Sequence, residues 1–135
     1  MPANAAPPKT CKPTAADSLG PFYEPNAPVR TNVGAGHVLT GTVRSAATCR
    51  VIPRARVELW LAGRDGEYAD AFRATVIASR AGAYRFESHF PPPYQGRPSH
   101  IHIRVSAPGF RTLVTQYYPA AGRAQGRFEL VLRRR

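Results

Sequence analysis

His100 and His102 sit two residues apart in Ser99-His100-Ile101-His102-Ile103-Arg104-Val105. The apolar residues at alternate positions predict a β-strand, whose side chains point to opposite faces in turn. The two imidazoles therefore share one face, while Ile101, Ile103 and Val105 share the other. Neutral imidazoles placed this way can occupy adjacent positions on one metal ion. Tyr94 and Arg97 lie just upstream, and Tyr68 lies in the loop after the Trp60 segment. A phenolate is a hard anionic oxygen donor that suits a highly charged ion such as Fe(III). Two phenolates and two imidazoles would offset two of three ferric charges, and a hydroxide at an exchangeable position would complete neutrality. The plainer readings are a structural histidine pair, a turn tyrosine at Tyr68 and a proline-packed aromatic at Tyr94.

The elements that must hold these residues are short. Alternating segments run over 38–43, 55–61, 72–78, 83–87, 99–105, 111–118 and 127–132, separated by Gly and Pro turns. They predict an all-β fold, a single antiparallel β-sandwich of about seven strands. Residues 1–18 read as an extended N-terminal leader rich in proline, and 19–135 as the sandwich domain. No segment carries a helical period long enough for a confident helix, and no apolar run approaches the roughly 18 residues of a membrane span.

The chain has 135 residues, 43% of them hydrophobic, with 14 prolines and 11 glycines, which suits one turn-rich globular domain. Its net charge of +11 comes almost wholly from arginine, since Lys9 and Lys12 are the only lysines. The arginines are scattered, only Arg133-Arg134-Arg135 forms a run, and no nucleic-acid motif accompanies them, so no nucleic-acid partner is expected. A positive field can instead attract anionic aromatic substrates. Cys11 and Cys49 lack metal-type spacing; they are either a disulfide pinning the leader to the body or two inert thiols. Residues 1–13 hold no apolar core of a signal peptide. The expected location leans to the periplasm or outside the cell, with a signal peptide absent from this chain.

From about Leu19 to Tyr118 the chain resembles the intradiol ring-cleavage dioxygenases, which open catechols with non-haem Fe(III). The resemblance rests on Gly20-Pro21-Phe22-Tyr23, Gly41-x-Val43, Val57-Glu58-Leu59-Trp60, Gly66-x-Tyr68 and Gly82-x-Tyr84-x-Phe86. It closes with Tyr94, Arg97-Pro98-x-His100-x-His102 and Thr115-Gln116-x-Tyr118. Only Gln95 and Gly96 separate Tyr94 from Arg97, as in the small secreted branch of the family. The resemblance implies Tyr68, Tyr94, His100 and His102 as iron ligands, with Tyr94 released when a catechol chelates the metal. It implies Arg97 as a fixed positive charge beside the ring, Gln116 as a nearby catalytic and substrate-binding residue, and Tyr23 at the pocket rim. The implied substrates are a small catechol and O2, and the implied product is a cis,cis-muconate.

The match departs from the larger family members at two places. No helical dimerisation segment precedes the sandwich, and Gly96 stands where larger relatives carry a pocket aromatic, which implies a more open site. Oligomeric state is not legible in the sequence. Two competing readings remain: a catalytically inactive transthyretin-like binding module, and a basic polyanion binder. Trp60 reads as core packing, His37 and His89 as structural or exposed, and Glu58 and Asp65 as surface charges.

Overall fold

Period-two alternation and β-branched residues build eight strands among residues 10–93 and 95–135, which a computed structural model describes. They are β1 (His37–Ser45), β2 (Arg56–Trp60), β3 (Arg73–Ile77), β4 (Ala83–Ser88), β5 (Ile101–Ser106), β6 (Leu113–Tyr117), β7 (Gln125–Arg127) and β8 (Leu130–Leu132). A 3-10 turn at Asp70–Phe72 precedes β3. One antiparallel sheet has the order β3-β2-β5-β6; in the other, β4 pairs antiparallel with β1, and β7 and β8 pair with β1 in parallel.

The all-β sandwich matches the sequence expectation, with two differences in detail. The segment expected as one strand over 127–132 is two. Between them the Tyr84 hydroxyl donates to the Phe128 carbonyl at 2.6 Å, and the Thr42 N–H donates to Glu129 Oε2 at 2.8 Å. Side chains take over the hydrogen bonds that a continuous ladder would make. Gly41 makes room for this, since a Cβ there would collide with the Phe128 carbonyl and the Tyr84 ring. The second difference is direction: the chain crosses from β6 in one sheet to β7 in the other, so no hairpin forces an antiparallel pair.

Val57 and Leu59 of β2, Ile101, Ile103 and Val105 of β5, and Val76 of β3 pack with Leu39, Val43, Phe86, Leu130 and Leu132 in one core. Each such side chain, fully buried, contributes about 1.5–3 kcal/mol. The opposite face of the β3-β2-β5-β6 sheet is where the chemistry sits. Trp60 lies opposite Arg73 on one side and His102 on the other, and His102 lies opposite Gln116. In the next row, Glu58 lies opposite Thr75 and Arg104.

A strap formed by the residues before β1 is sewn to the sandwich. Cys11 N–H donates to the Ala46 carbonyl, Thr14 N–H to Val131, and Asp17 N–H to Val114. Further on, Arg30 and Thr75 exchange backbone bonds at the β3 edge, Arg30 donating to the Thr75 carbonyl and Thr75 to that of Pro28. Cys11 and Cys49 form a disulfide with a Cα–Cα distance of 5.1 Å, the first of the two alternatives the sequence left open. Among the described residues, no helix is long and apolar enough to cross a membrane.

Candidate metal centre

β5 begins at Ile101, so His100 stands at its mouth and His102 within it, both facing away from the core and both 3% exposed. Their rings are 4.7 Å apart and nearly perpendicular. Tyr68 reaches them from the connection between β2 and β3, placing its hydroxyl 3.2 Å from His100 Nε2 and 3.2 Å from His102 Nε2. The predicted strand alternation puts the two imidazoles on one face, and the β2–β3 connection brings a phenol to the same point. Tyr94, the fourth expected ligand, lies outside the described residues.

The protonation pattern leaves this point rich in lone pairs. His100 Nδ1 lies 2.8 Å from the Pro98 carbonyl, which can only accept, so Nδ1 carries the proton and Nε2 presents its lone pair. Burial pushes the His102 imidazole down to about 4, with further contributions from the neighbouring His100 and the Arg97 guanidinium, so the His102 ring is neutral near pH 7. The Trp60 ring stacks on His102 at 5.1 Å and 7°, fixing its plane. The phenol oxygen and the two Nε2 atoms converge closely enough that a single cation can be shared among all three. A phenolate oxygen with two neutral imidazoles is a donor set for a hard-to-borderline ion, so the residues present fit iron. No three or more His, Cys, Asp or Glu converge among the described residues, so the third donor of this cluster is a tyrosine.

Arg97 and Gln116 come together beside this cluster. An Arg97 guanidinium nitrogen donates to Gln116 Oε1 at 2.8 Å and to the Tyr118 hydroxyl oxygen at 3.2 Å. The strap holds both partners: Gln116 Nε2 donates to the Ser18 carbonyl at 2.7 Å, and the Tyr118 hydroxyl donates to Asp17 at 2.6 Å. That bond, together with a backbone bond from Ser18, holds the Asp17 carboxyl below its usual range. Gly20, at φ 72°, lets the strap cross the donor cluster, because a Cβ there would lie 3.0 Å from His102 Cε1. A half-open cavity of about 270 Å³ is lined by Gly20, Pro21, Phe22, Tyr68, Gln95, Arg97, His100 and His102. Phe22 stacks on Tyr68 at 4.6 Å and 14° and forms one wall.

Tyr23 also reaches this region, behind Trp60 rather than in the cavity, with ring centroids 5.1 Å apart. Its hydroxyl donates to Glu58 Oε1 at 2.8 Å, and Arg104 donates to Glu58 Oε2 at 2.6 Å. Burial and then the Glu58 carboxylate raise the Tyr23 hydroxyl above its ordinary value. Glu58, expected on the surface, is 2% exposed because its two partners and the strap cover it. A signal for this was present: Glu58 and Trp60 alternate with Val57 and Leu59, and a tryptophan on the outward face marks that face as covered. His37 and His89 are both buried, the structural side of their reading. Asp65 is exposed as expected.

The fold and site define a β-sandwich that carries a two-imidazole, one-phenol donor cluster and an adjacent guanidinium on a strap-covered outer face. Residues 20–124 match the Dioxygenase_C family, described as dioxygenase, and the chain belongs to that family. It is 32% identical to catechol 1,2-dioxygenase of Candida albicans (strain SC5314 / ATCC MYA-2876) over 145 residues, covering 79% of this chain and 47% of that protein. It is 30% identical to hydroxyquinol 1,2-dioxygenase of Rhodococcus opacus, covering 76% of this chain and 45% of that protein. The chain therefore spans about half the length of the curated relatives it matches. Among solved structures, it superposes on the dioxygenase domain of a dioxygenase carbohydrate-binding protein fusion from Streptomyces sp. SirexAA-E. That match has a TM-score of 0.81 and 26% identity, and covers 92% of this chain and 100% of that one.

Proposed function

We propose that this chain is a non-haem Fe(III) intradiol dioxygenase that uses O2 to cleave a small catechol between its two hydroxylated carbons, giving a cis,cis-muconate-type product. The observation that carries the proposal is the Tyr68 hydroxyl, 3.2 Å from both His100 Nε2 and His102 Nε2. Tyr68, His100 and His102 hold the ion in this reading, with Tyr94 as the fourth ligand. When bound, Fe(III) supplies Lewis acidity that draws electron density from a chelated catecholate.

The remaining work falls to side chains. Arg97 cannot lose its proton, so it offers a constant positive charge to carbanion character developing on the ring. Gln116 and Tyr118 aim that charge by accepting from the guanidinium. The Phe22 ring, stacked on Tyr68, keeps water from one side of the cavity. Tyr94, which holds the ion as a phenolate in this reading, takes a proton from the incoming catechol and leaves as the neutral phenol. Tyr23 supports the rim by holding Trp60 against His102. The cavity of about 270 Å³ is below the usual size of ligand clefts, roughly 300–1,000 Å³, and suits a single aromatic ring.

The sandwich domain of this reading is 19–135, with 1–18 as leader. The Cys11–Cys49 disulfide favours an oxidising compartment, so the protein is assigned to the periplasm or the cell exterior.

The test is the iron content and visible spectrum of the purified protein, before and after anaerobic addition of catechol. One iron per chain with a tyrosinate-to-Fe(III) band that shifts on addition supports the reading. A protein that stays colourless after Fe(III) reconstitution defeats it and leaves the transthyretin-like binding module.

A further inference from the structure

At the end of the sandwich away from the metal centre lies a face of cations. β5 carries His102 near its start and runs at about 3.3 Å per residue into the Ala107–Phe110 turn, roughly 20 Å away. Three shallow grooves of about 470, 410 and 520 Å³ adjoin one another there. Arg50 and Arg134 line the first, Arg134 continues into the second, and Arg111 and Arg133 connect the second to the third, where Lys12 lies. All five side chains are exposed, no Asp or Glu lines any of the grooves, and none of the five forms an ion pair among the described residues.

A second observation marks the first groove as a site rather than a merely charged surface. Ser45 lines it, is 3% exposed, and its Oγ has no hydrogen-bond partner among the described residues. A buried hydroxyl left unpaired is costly, and an acceptor arriving from outside relieves that cost. Beside it the Arg134 guanidinium lies over the Phe110 ring, 5.4 Å from its centroid, which restrains the plane it presents. A hydroxyl donor and two guanidinium groups around one groove form a receptor for a planar anion such as a carboxylate.

We propose that this face docks a linear carboxylated polysaccharide, with one carboxylate held by Ser45, Arg50 and Arg134 and further carboxylates following Arg111, Arg133 and Lys12. The row of grooves suits a chain of repeating charges better than one small anion. Nucleic acid fits less well. Among the described residues no helix or free two-stranded ribbon stands out to enter a duplex groove, and the aromatic ring lining these grooves, Phe110, is already covered by Arg134. Cys11, which lines the second groove, is disulfide-bonded, which fits an oxidising compartment outside the cytosol, where acidic polysaccharides are accessible. The proposal stands independently of the metal chemistry.

The experiment titrates the whole chain with an oligogalacturonate, a heparin oligosaccharide and a short DNA duplex, each at low and raised salt. Oligogalacturonate is expected to bind, to weaken with salt, and to weaken at least about tenfold in an Arg111→Ser/Arg133→Ser/Arg134→Ser variant. Ser45→Ala is expected to weaken oligogalacturonate several-fold without lowering the unfolding temperature, because the hydroxyl it removes has no partner among the described residues. Three results overturn the proposal: no oligogalacturonate binding, equal affinity in these variants, or tighter binding of DNA. Tighter binding of heparin that is indifferent to Ser45→Ala overturns it as well, because charge alone would then explain the face.

Discussion

Glu58 shows how much a single side chain can organise on the outer face. Both carboxylate oxygens are used, one by Tyr23 and one by Arg104, in a place where the carboxylate is almost wholly buried. Glu58→Ala would leave a hydroxyl and a guanidinium without their acceptor, a loss of about 2–4 kcal/mol. Denaturant unfolding followed by the emission of Trp60, the one tryptophan, measures it. A loss below about 0.5 kcal/mol would mean that solvent replaces the carboxylate freely. Arg97 is the matching case beside the cavity. Arg97→Lys keeps the charge but gives up the planar donor shared by Gln116 and Tyr118, so catechol turnover should fall about tenfold or more while iron loading stays intact. An unchanged kcat would remove Arg97 from the proposed chemistry. The imidazole pair was legible in the sequence because strand alternation alone sets its geometry. For Glu58 the alternation with Trp60 signalled a covered face, but not its partners, which come from distant parts of the chain and meet it only once β2 and β5 are paired.

Strand β1 carries a buried histidine of a different kind. His37 is 1% exposed, and neither of its ring nitrogens has a partner among the described residues. Phe90 meets the imidazole edge-on at 5.7 Å, and Tyr117 lies 6.0 Å away. Burial holds His37 below its ordinary value, so in mild acid the unfolded chain binds a proton that the folded chain refuses. The stability this contributes is complete above about pH 6.5 and is lost as pH falls towards the depressed value. His37→Leu should therefore flatten the decline in unfolding free energy between roughly pH 7 and pH 5, compared with the unaltered chain. Identical slopes would show that the ring finds a proton partner in the folded state. Strand positions were legible because apolar alternation reports directly on a half-buried sheet. The break at Phe128–Glu129 was not, since it depends on Gly41, Tyr84 and Thr42 across the sheet. Nor did the proline-rich composition of the strap reveal that its carbonyls and Asp17 orient Gln116 and Tyr118.

At the scale of the molecule, the strap and the sandwich are held as one body by the Cys11–Cys49 bridge. It closes a loop with a sequence separation of 38, for which the loss of unfolded-state freedom contributes at most about 4 kcal/mol. Cys11→Ser/Cys49→Ser should lower the denaturant midpoint accordingly and expose residues 10–18 to proteolysis. A midpoint unchanged by the double substitution would show that the backbone bonds of the strap suffice. The order of pairing around β1 has a kinetic consequence. Val38 aligns with Gln125 and Val43 with Leu130, so the earliest strand is completed by the latest ones. Such non-local closure bears its loop entropy before any packing rewards it, which places refolding on the scale of about milliseconds to seconds. A nascent chain emerging in order would have β4 against β1 but an open edge along the other side until residue 132 is free. Stopped-flow refolding of chains truncated before β7 should show no cooperative phase, while the intact chain folds in one. A polypeptide that stays loose until its final strand arrives can still be threaded through a narrow channel, which a chain that locked strand by strand could not.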